Sequence, residues 1–216
     1  MATNLLESIQ SVFGDELARQ AASFLGETEK DTESALGKLL PALLGGLVKQ
    51  GSTLEGASRL IRTLSGSDID SGLLSNLGGL FSEGTRTESL IALGTNLARH
   101  LFGDKVAVLI STVASLTGLG SSSISKLLYL AAPLVFGYIK KLLTERGLDV
   151  AGLMRLLAEQ KGTLSELVDG RISNELGLAS MFSGPVTAAP GTDYRAAARS
   201  DKRADDDTPL WSKLWH

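Results

Sequence analysis

The 216-residue sequence has no cysteine, only two histidines and only five prolines. Without cysteine it can form no disulfide, no thiolate metal site and no cysteine nucleophile. Transition-metal sites gather several His or Cys ligands, and His100 and His216 are far apart in the sequence. We therefore expect neither a metal ion nor another cofactor.

Catalytic motifs are also missing. The sequence has no His-Glu-x-x-His, no Gly-x-Ser-x-Gly and no Gly-x-x-x-x-Gly-Lys-Ser/Thr. The glycine pair at 118–120 joins two predicted helices instead of following a strand, which excludes a dinucleotide-binding loop. The carboxylates between Glu27 and Glu33 begin a predicted helix, where negative charge favours the helix dipole. We predict no catalytic residue, no enzyme and no small-molecule substrate, although carboxylates paired by the fold leave no mark in a sequence.

Charge is unevenly distributed along the chain. The net charge of −3 argues against a general nucleic-acid binder. Residues 1–66 carry six basic and eight acidic side chains, whereas residues 97–161 carry eight basic and four acidic ones. These charges either solvate helix faces or guide contacts between copies of the chain.

Apolar residues recur three and four positions apart through most of the sequence, which predicts an all-α fold. The first helix has Asn4 before it and Gly14 at its end, and the second runs from Asp15 to Gly26. The other predicted helices cover residues 28–50, 54–65, 70–81, 88–101, 105–117, 123–146, 149–160 and 164–177. We predict one helical domain over residues 1–182 and a flexible tail over residues 183–216.

An internal duplication is the most specific feature of the sequence. Residues 11–16 (SVFGDE) are echoed by residues 100–105 (HLFGDK), 89 positions later. Residues 39–45 (LLPALLG) match residues 131–137 (AAPLVFG) at an offset of 92. The two related halves cover about residues 4–66 and 93–161.

The two prolines of the predicted domain support this duplication, because Pro41 and Pro133 occupy matching positions of long apolar helices. Proline inside a helix costs about 3 kcal/mol or more. We therefore predict two kinked central helices around which the halves pack. The neighbouring Gly45, Gly46 and Gly137 would let another helix approach closely.

The duplicated Phe-Gly-Asp segment has two interpretations. Phe13-Gly14-Asp15 and Phe102-Gly103-Asp104 fit a left-handed glycine that ends one helix, a Phe packed beneath it and an Asp that caps the next helix. Alternatively, the repeated turn is a contact surface.

Two apolar runs were considered as membrane spans. Residues 127–139 and 106–119 are thirteen and fourteen residues long, and a span needs about 20. We expect both to be buried core helices and the chain not to cross a bilayer. Because no basic-plus-apolar leader opens the sequence, we expect a cytoplasmic protein.

The tail from residue 183 contains three of the five prolines and too few apolar residues to form a core. It ends in an amphipathic segment with Trp211 and Trp215, and tryptophan is typical of membrane interfaces. One hypothesis is that the natural protein continues here into a transmembrane helix, which would anchor it to the inner membrane. The other is that this peptide docks on its own domain or on a neighbour.

Residues 36–47 (LGKLLPALLGGL), preceded by residues 21–26 (AASFLG), resemble the YidB-like bacterial domain of unknown function. Residues 93–104 and 131–134 are similar to the second half of that family, and the resemblance covers about residues 4–160. It implies an all-α fold with a homeodomain-like arrangement. It also implies that members occur alone or ahead of a membrane helix and an OmpA-like peptidoglycan-binding domain. It supplies no catalytic or binding residue.

Three functional hypotheses follow. The first is a non-catalytic interaction or scaffold module that self-associates, and the second is a cytoplasmic domain tethered to the inner membrane, which is compatible with the first. The third is DNA binding through a homeodomain-like motif in the basic half. Its candidate residues are Lys126, Lys140, Lys141, Arg146 and Arg155.

Overall fold

The computed structural model describes residues 4–66 and 84–182, and within these two ranges the fold is all-α, without a β-strand. The predicted fold class is therefore confirmed. The predicted helix over 70–81, the tail from residue 183, and Trp211 and Trp215 lie outside the described residues. The helices, numbered along the described chain, are α1 (Leu5–Ile9), α2 (Asp15–Leu25), α3 (Glu29–Gly51), α4 (Leu54–Gly66), α5 (Gly84–Phe102), α6 (Val106–Thr117), α7 (Ser121–Arg146), α8 (Val150–Ala158), α9 (Lys161–Leu167), α10 (Gly170–Leu176) and α11 (Ala179–Phe182).

The start of the fold differs from the prediction at Gly14. Helix α1 begins where Asn4 Oδ1 accepts a hydrogen bond from the Glu7 N–H at 3.2 Å. It does not end at Gly14, because a π-helical turn over Gln10–Gly14 leads directly into α2, and Gly14 has φ −54°. Asp15 is the first residue of α2 and makes no capping hydrogen bond. A π turn contains about one residue more than an α turn. This extra residue rotates the apolar stripe of α2 back towards that of α1.

The second Phe-Gly-Asp segment matches the prediction at its glycine only. Gly103 has φ +56°, a conformation that side chains disfavour, and it ends α5. A 3₁₀ turn over Gly103–Lys105 then leads into α6, so Asp104 does not cap that helix. The two segments share three residues but adopt different backbone conformations.

The long helices α3 and α7 form the centre of the core. Pro41 and Pro133 lie buried inside them, and each helix runs continuously through its proline, so the predicted bends stay predictions. Thr28 caps α3 by accepting the Asp31 N–H at 3.1 Å, whereas Gly120, the residue before α7, provides no side-chain cap. Helix α7 packs against α3 and, most extensively, against α5, and α8 packs across α3 and α4.

The predicted helix over 164–177 is wrong, because the chain forms two helices there. Val168 adopts an extended conformation with ψ 121° and is buried, which ends α9. The Asp169 carboxylate then accepts the Arg171 N–H at 2.9 Å and starts α10. Burying Val168 thus separates two short helices that share one apolar pattern.

Helix α7 is long and apolar enough, by length and composition alone, to cross a membrane. It has 26 residues and a mean hydropathy of 1.4. The helix is longer than the thirteen-residue apolar run over 127–139, because it continues beyond that run at both ends. However, 67% of its most apolar stretch is buried inside the domain, as expected of a core helix.

Gln160 ties the start of the domain to its C-terminal helices. Its side chain is 3% exposed, its Oε1 accepts the Leu5 N–H at 2.9 Å, and its Nε2 donates to the Leu156 carbonyl at 3.2 Å. Gln160→Leu should lower the free energy of unfolding by about 1–3 kcal/mol, because it leaves the buried Leu5 N–H without an acceptor. Urea denaturation followed by circular dichroism measures this change. Gln20→Leu is the control, since Gln20 bonds only to Glu16 of its own helix, and an equal effect of both variants would contradict the prediction.

Candidate functional site

The predicted glycine and proline residues lie in the helix contacts of the core. A Cβ on Gly45 would lie 2.8 Å from Leu178 Cδ1, and one on Gly46 would lie 2.7 Å from Phe102 Cε1. Leu178 and the Phe102 ring therefore occupy the space that side chains at these positions would need. Gly137 is buried in α7, and the side chain of Phe13 lies outside the described part of the chain.

Two lysines that sequence reasoning missed hold the end of α10. Lys49 Nζ donates to the Leu176 carbonyl at 2.8 Å, and Lys105 Nζ donates to the Glu175 carbonyl at 2.7 Å. Cations favour a helix C-terminus, where carbonyls lack intrahelical partners. The Lys49 bond and the contact of Leu178 with Gly45 attach the C-terminal helices to α3, and the Lys105 bond attaches them to the 3₁₀ turn before α6.

A cleft of about 330 Å³ lies between the π-helical turn and α3. Gln10, Asp15, Glu33 and Leu36 line it, and we call it the acidic cleft. Val12, which lies in the same π turn, is 51% exposed. Val12 does not line the cleft, which therefore presents two exposed carboxylates, those of Asp15 and Glu33.

A second cleft, of about 340 Å³, lies where α3, α4 and α5 meet. Lys49, Gln50, Glu55, Arg59 and His100 line it, and we call it the basic cleft. Arg59 pairs with Glu55 at 2.5 Å, which leaves the charge of Lys49 in excess. Leu54, which precedes Glu55 in the sequence, is 67% exposed. This cleft thus has a net positive charge, opposite to that of the acidic cleft, and Leu54 does not line it.

The imidazole of His100 could act as a general base, but the side chains beside it do not form a catalytic arrangement. Burial, and then the nearby Arg59 guanidinium, lower the pKa of His100, so the ring is uncharged at neutral pH. Gln50 Nε2 lies 3.2 Å and Thr63 Oγ1 lies 3.4 Å from His100 Nε2. Because Thr63 Oγ1 donates its proton to the Arg59 carbonyl, it is not an activated nucleophile. The arrangement is a polar contact between helices.

The second Phe-Gly-Asp segment also borders a cleft. Arg99, Gly103, Asp104 and Tyr129 line a space of about 490 Å³. Tyr129 and Gly37 occupy matching positions of the predicted duplication, 92 residues apart. Gly37 lines the acidic cleft beside Gly14 and Asp15. Both segments therefore border a surface cleft against equivalent positions of a long helix. This observation favours the interpretation of the repeated segment as a contact surface.

The carboxylates around the start of α3 are held by hydrogen bonds to hydroxyl groups. Ser123 Oγ donates to Glu27 Oε1 at 2.7 Å, and Thr28 Oγ1 donates to Asp31 Oδ2 at 2.7 Å, so these carboxylates stabilise the start of α3. Over residues 4–66 and 84–182 there is no group of three or more His, Asp or Glu side chains that could hold a metal ion.

The basic residues proposed for DNA binding are spread over the domain. Lys126 Nζ lies 5.8 Å from the centroid of the Phe24 ring, and Lys141 Nζ lies 3.8 Å from Glu145 Oε1. Lys126 lies in the second turn of α7 and Arg146 is its last residue, so they are about 30 Å apart at 1.5 Å per residue. The structure does not gather the candidates into one patch.

The comparisons with known proteins give one match. No curated protein and no solved structure is similar enough to match, whereas the model of a family described as bacterial proteins of unknown function (DUF937) matches residues 7–141. The matched range includes the residues of α3 that line the two clefts, and it includes both buried prolines. The YidB-like resemblance and the association with an OmpA-like domain stay predictions. The chain belongs to the DUF937 family of bacterial proteins, whose function is unknown.

Proposed function

We propose that this domain is a non-catalytic helical interaction module that associates with copies of itself. The observation that carries the proposal is the pair of surface clefts with opposite charge, one lined by Asp15 and Glu33 and the other by Lys49 and Arg59. Complementary charges across an interface steer association and fix the orientation of the partners.

The chemistry of the clefts supports binding over catalysis. The titratable side chains of the basic cleft are held by a helix terminus, an ion pair or polar contacts, as at Lys49, Arg59 and His100. Single exposed aliphatic residues are common on proteins and need no explanation by themselves. The opposite charges of the two clefts are what favours a partner of the same chain.

Light scattering over a range of protein and salt concentrations tests the proposal. The measured mass should rise above 22.7 kDa with protein concentration. It should fall again as salt is raised from about 0.1 M to 1 M, because the Debye length shrinks from about 10 Å to 3 Å. A mass of 22.7 kDa under every condition would contradict self-association.

The other hypotheses stay predictions from the sequence. Cytoplasmic placement, a membrane tether beyond the tail and a scaffold role belong to this group. DNA binding would be supported if duplex DNA bound with an affinity that falls steeply with salt, because released counterions dominate such binding. The same light-scattering samples with added duplex DNA give that measurement.

A further inference from the structure

We propose that the cleft beside the second Phe-Gly-Asp segment binds a small zwitterion with an apolar side chain, namely a free amino acid with an aromatic side chain. We call it the Tyr129 cleft. Val106, Ala107 and Ile110 line it together with Arg99, Gly103, Asp104 and Tyr129. The inference goes beyond the proposed self-association, uses neither the acidic nor the basic cleft, and assigns a ligand and no reaction.

The size of the Tyr129 cleft suits a small molecule. Its volume of about 490 Å³ exceeds those of the acidic and basic clefts. Ligand sites usually have volumes of about 300–1,000 Å³. An added Cβ on Gly103 would meet nothing within 4 Å, so the rim is open at this residue. The cleft therefore has room for a molecule of amino-acid size.

The floor of the Tyr129 cleft is apolar. Val106 and Ile110 line the cleft although both are buried, so they form its floor. Tyr129 is half-buried, and a tyrosine ring packs favourably against another aromatic ring, edge to face or offset. Ala107 is exposed at the rim and too small to fill the space above the floor. This floor favours an aromatic side chain on the ligand.

The rim carries one cation and one anion that have no partner. Within the described part of the chain, Arg99 and Asp104 form no ion pair and no side-chain hydrogen bond, and the Tyr129 hydroxyl has no hydrogen-bond partner. Lys49 and Arg59 of the basic cleft differ in this respect, because they already hold a carbonyl and a carboxylate. The charged groups of the Tyr129 cleft are therefore available to a ligand.

These two charges specify the class of ligand. The guanidinium of Arg99 can bind a carboxylate through two parallel hydrogen bonds, and the carboxylate of Asp104 can accept from an ammonium group. A simple anion would be repelled by Asp104, and a simple cation would be repelled by Arg99. An amino acid carries a carboxylate and an ammonium on one carbon, so it can pair with both residues while its side chain lies on the apolar floor.

The acidic cleft offers a natural comparison within the same chain. Three of its lining residues lie 89 positions before lining residues of the Tyr129 cleft; the pairs are Gln10 and Arg99, Gly14 and Gly103, and Asp15 and Asp104. The acidic cleft thus has a glutamine in place of the arginine, and it has Gly37 in place of Tyr129. Without the cation and the aromatic ring, it should not bind the same ligand.

An NMR titration of the whole chain with L-phenylalanine tests the proposal. We expect a dissociation constant of about 1 mM, because a ligand of this size gains little free energy in an open cleft. The backbone N–H signals of Gly103, Asp104 and Ala107 should move and reach a plateau. The signals of Gly14 and Asp15, in the acidic cleft, should stay where they are.

Three analogues separate the parts of the ligand. 3-Phenylpropanoate lacks the ammonium, and 2-phenylethylamine lacks the carboxylate. Each should bind the Tyr129 cleft at least about tenfold more weakly than phenylalanine, because one charge at the rim stays unpaired. Glycine keeps both charges but has no side chain to bury, so it should also bind at least about tenfold more weakly.

Two variants of the rim and two controls locate the site. Arg99→Gln and Asp104→Asn each remove one charge, whereas Arg155→Gln and Glu166→Gln make similar changes at exposed positions of other helices. The rim variants should bind phenylalanine at least about tenfold more weakly than wild type, since each loses a charge-assisted contact. The controls should bind it as wild type does.

Circular dichroism should show the wild-type helical signal for all four variants, because each side chain is exposed. If a rim variant loses that signal, Ala107→Trp, which fills the cleft, takes its place. The proposal is wrong if phenylalanine leaves the signals around Gly103 unmoved, or if the rim variants bind it as tightly as wild type. These outcomes do not depend on self-association, which light scattering tests separately.

Discussion

Gly94→Ala is expected to lower the free energy of unfolding by about 3 kcal/mol, near the upper end of the usual cost of overpacking. An added Cβ at Gly94 would lie 1.7 Å from the Tyr129 carbonyl oxygen and 2.5 Å from its carbon. These are backbone atoms of α7, so no side-chain rotation relieves the overlap. Helix α5 must move away from α7 along its most extensive contact. Urea denaturation followed by circular dichroism measures the loss.

Gly37→Ala is the matched control for that substitution. Gly37 also lies inside a helix, but it is exposed and its added Cβ would meet nothing within 4 Å. Alanine there should raise the free energy of unfolding by about 0.5–1 kcal/mol, because glycine has the larger entropy in the unfolded chain. A Gly94→Ala protein as stable as Gly37→Ala would contradict the close contact of α5 and α7.

Helix starts were predictable where a side chain caps its own helix. Asn4, Thr28 and Asp149 each accept a hydrogen bond from a backbone N–H of the following turn. Such signals are local, so their residues and spacing appear in the sequence. Phe-Gly-Asp shows the limit of local signals, because Gly14 is helical and Gly103 is left-handed. The surrounding packing, not the three residues, selects between these conformations.

Contacts between distant residues left no readable signal. Gly94 fits against Tyr129, Gln160 accepts the Leu5 N–H, and Lys49 caps α10. Each of these residues is ordinary in its own segment. Only the fold brings its partner near. The same reason explains why the acidic and basic clefts were not predicted beyond an uneven distribution of charge.

The duplication stays a prediction from the sequence, and its matched positions can be compared in the structure. Gly26 and Gly118, which match at the offset of 92, both have positive φ and end the helices before the long ones. The long helices α3 and α7 contact each other, and so do the closing helices α4 and α8. Since α8 packs on α3 of the other half, neither half has a core of its own. A duplicated pair of this kind should unfold as one unit.

Phe136→Ala tests that expectation and has the other large effect. Phe136 on α7 and Leu44 on α3 match at the offset of 92 and are both 0% exposed. Removing their side chains should cost about 3–5 kcal/mol for Phe136→Ala and about 2–5 kcal/mol for Leu44→Ala, through lost burial and the cavities left behind. Because both residues belong to one core cluster, either substitution should shift a single transition of the whole helical signal. Leu167→Ala, at a position 50% exposed, should shift it far less. A two-step transition in which each substitution moves a different step would show that the halves are independent domains.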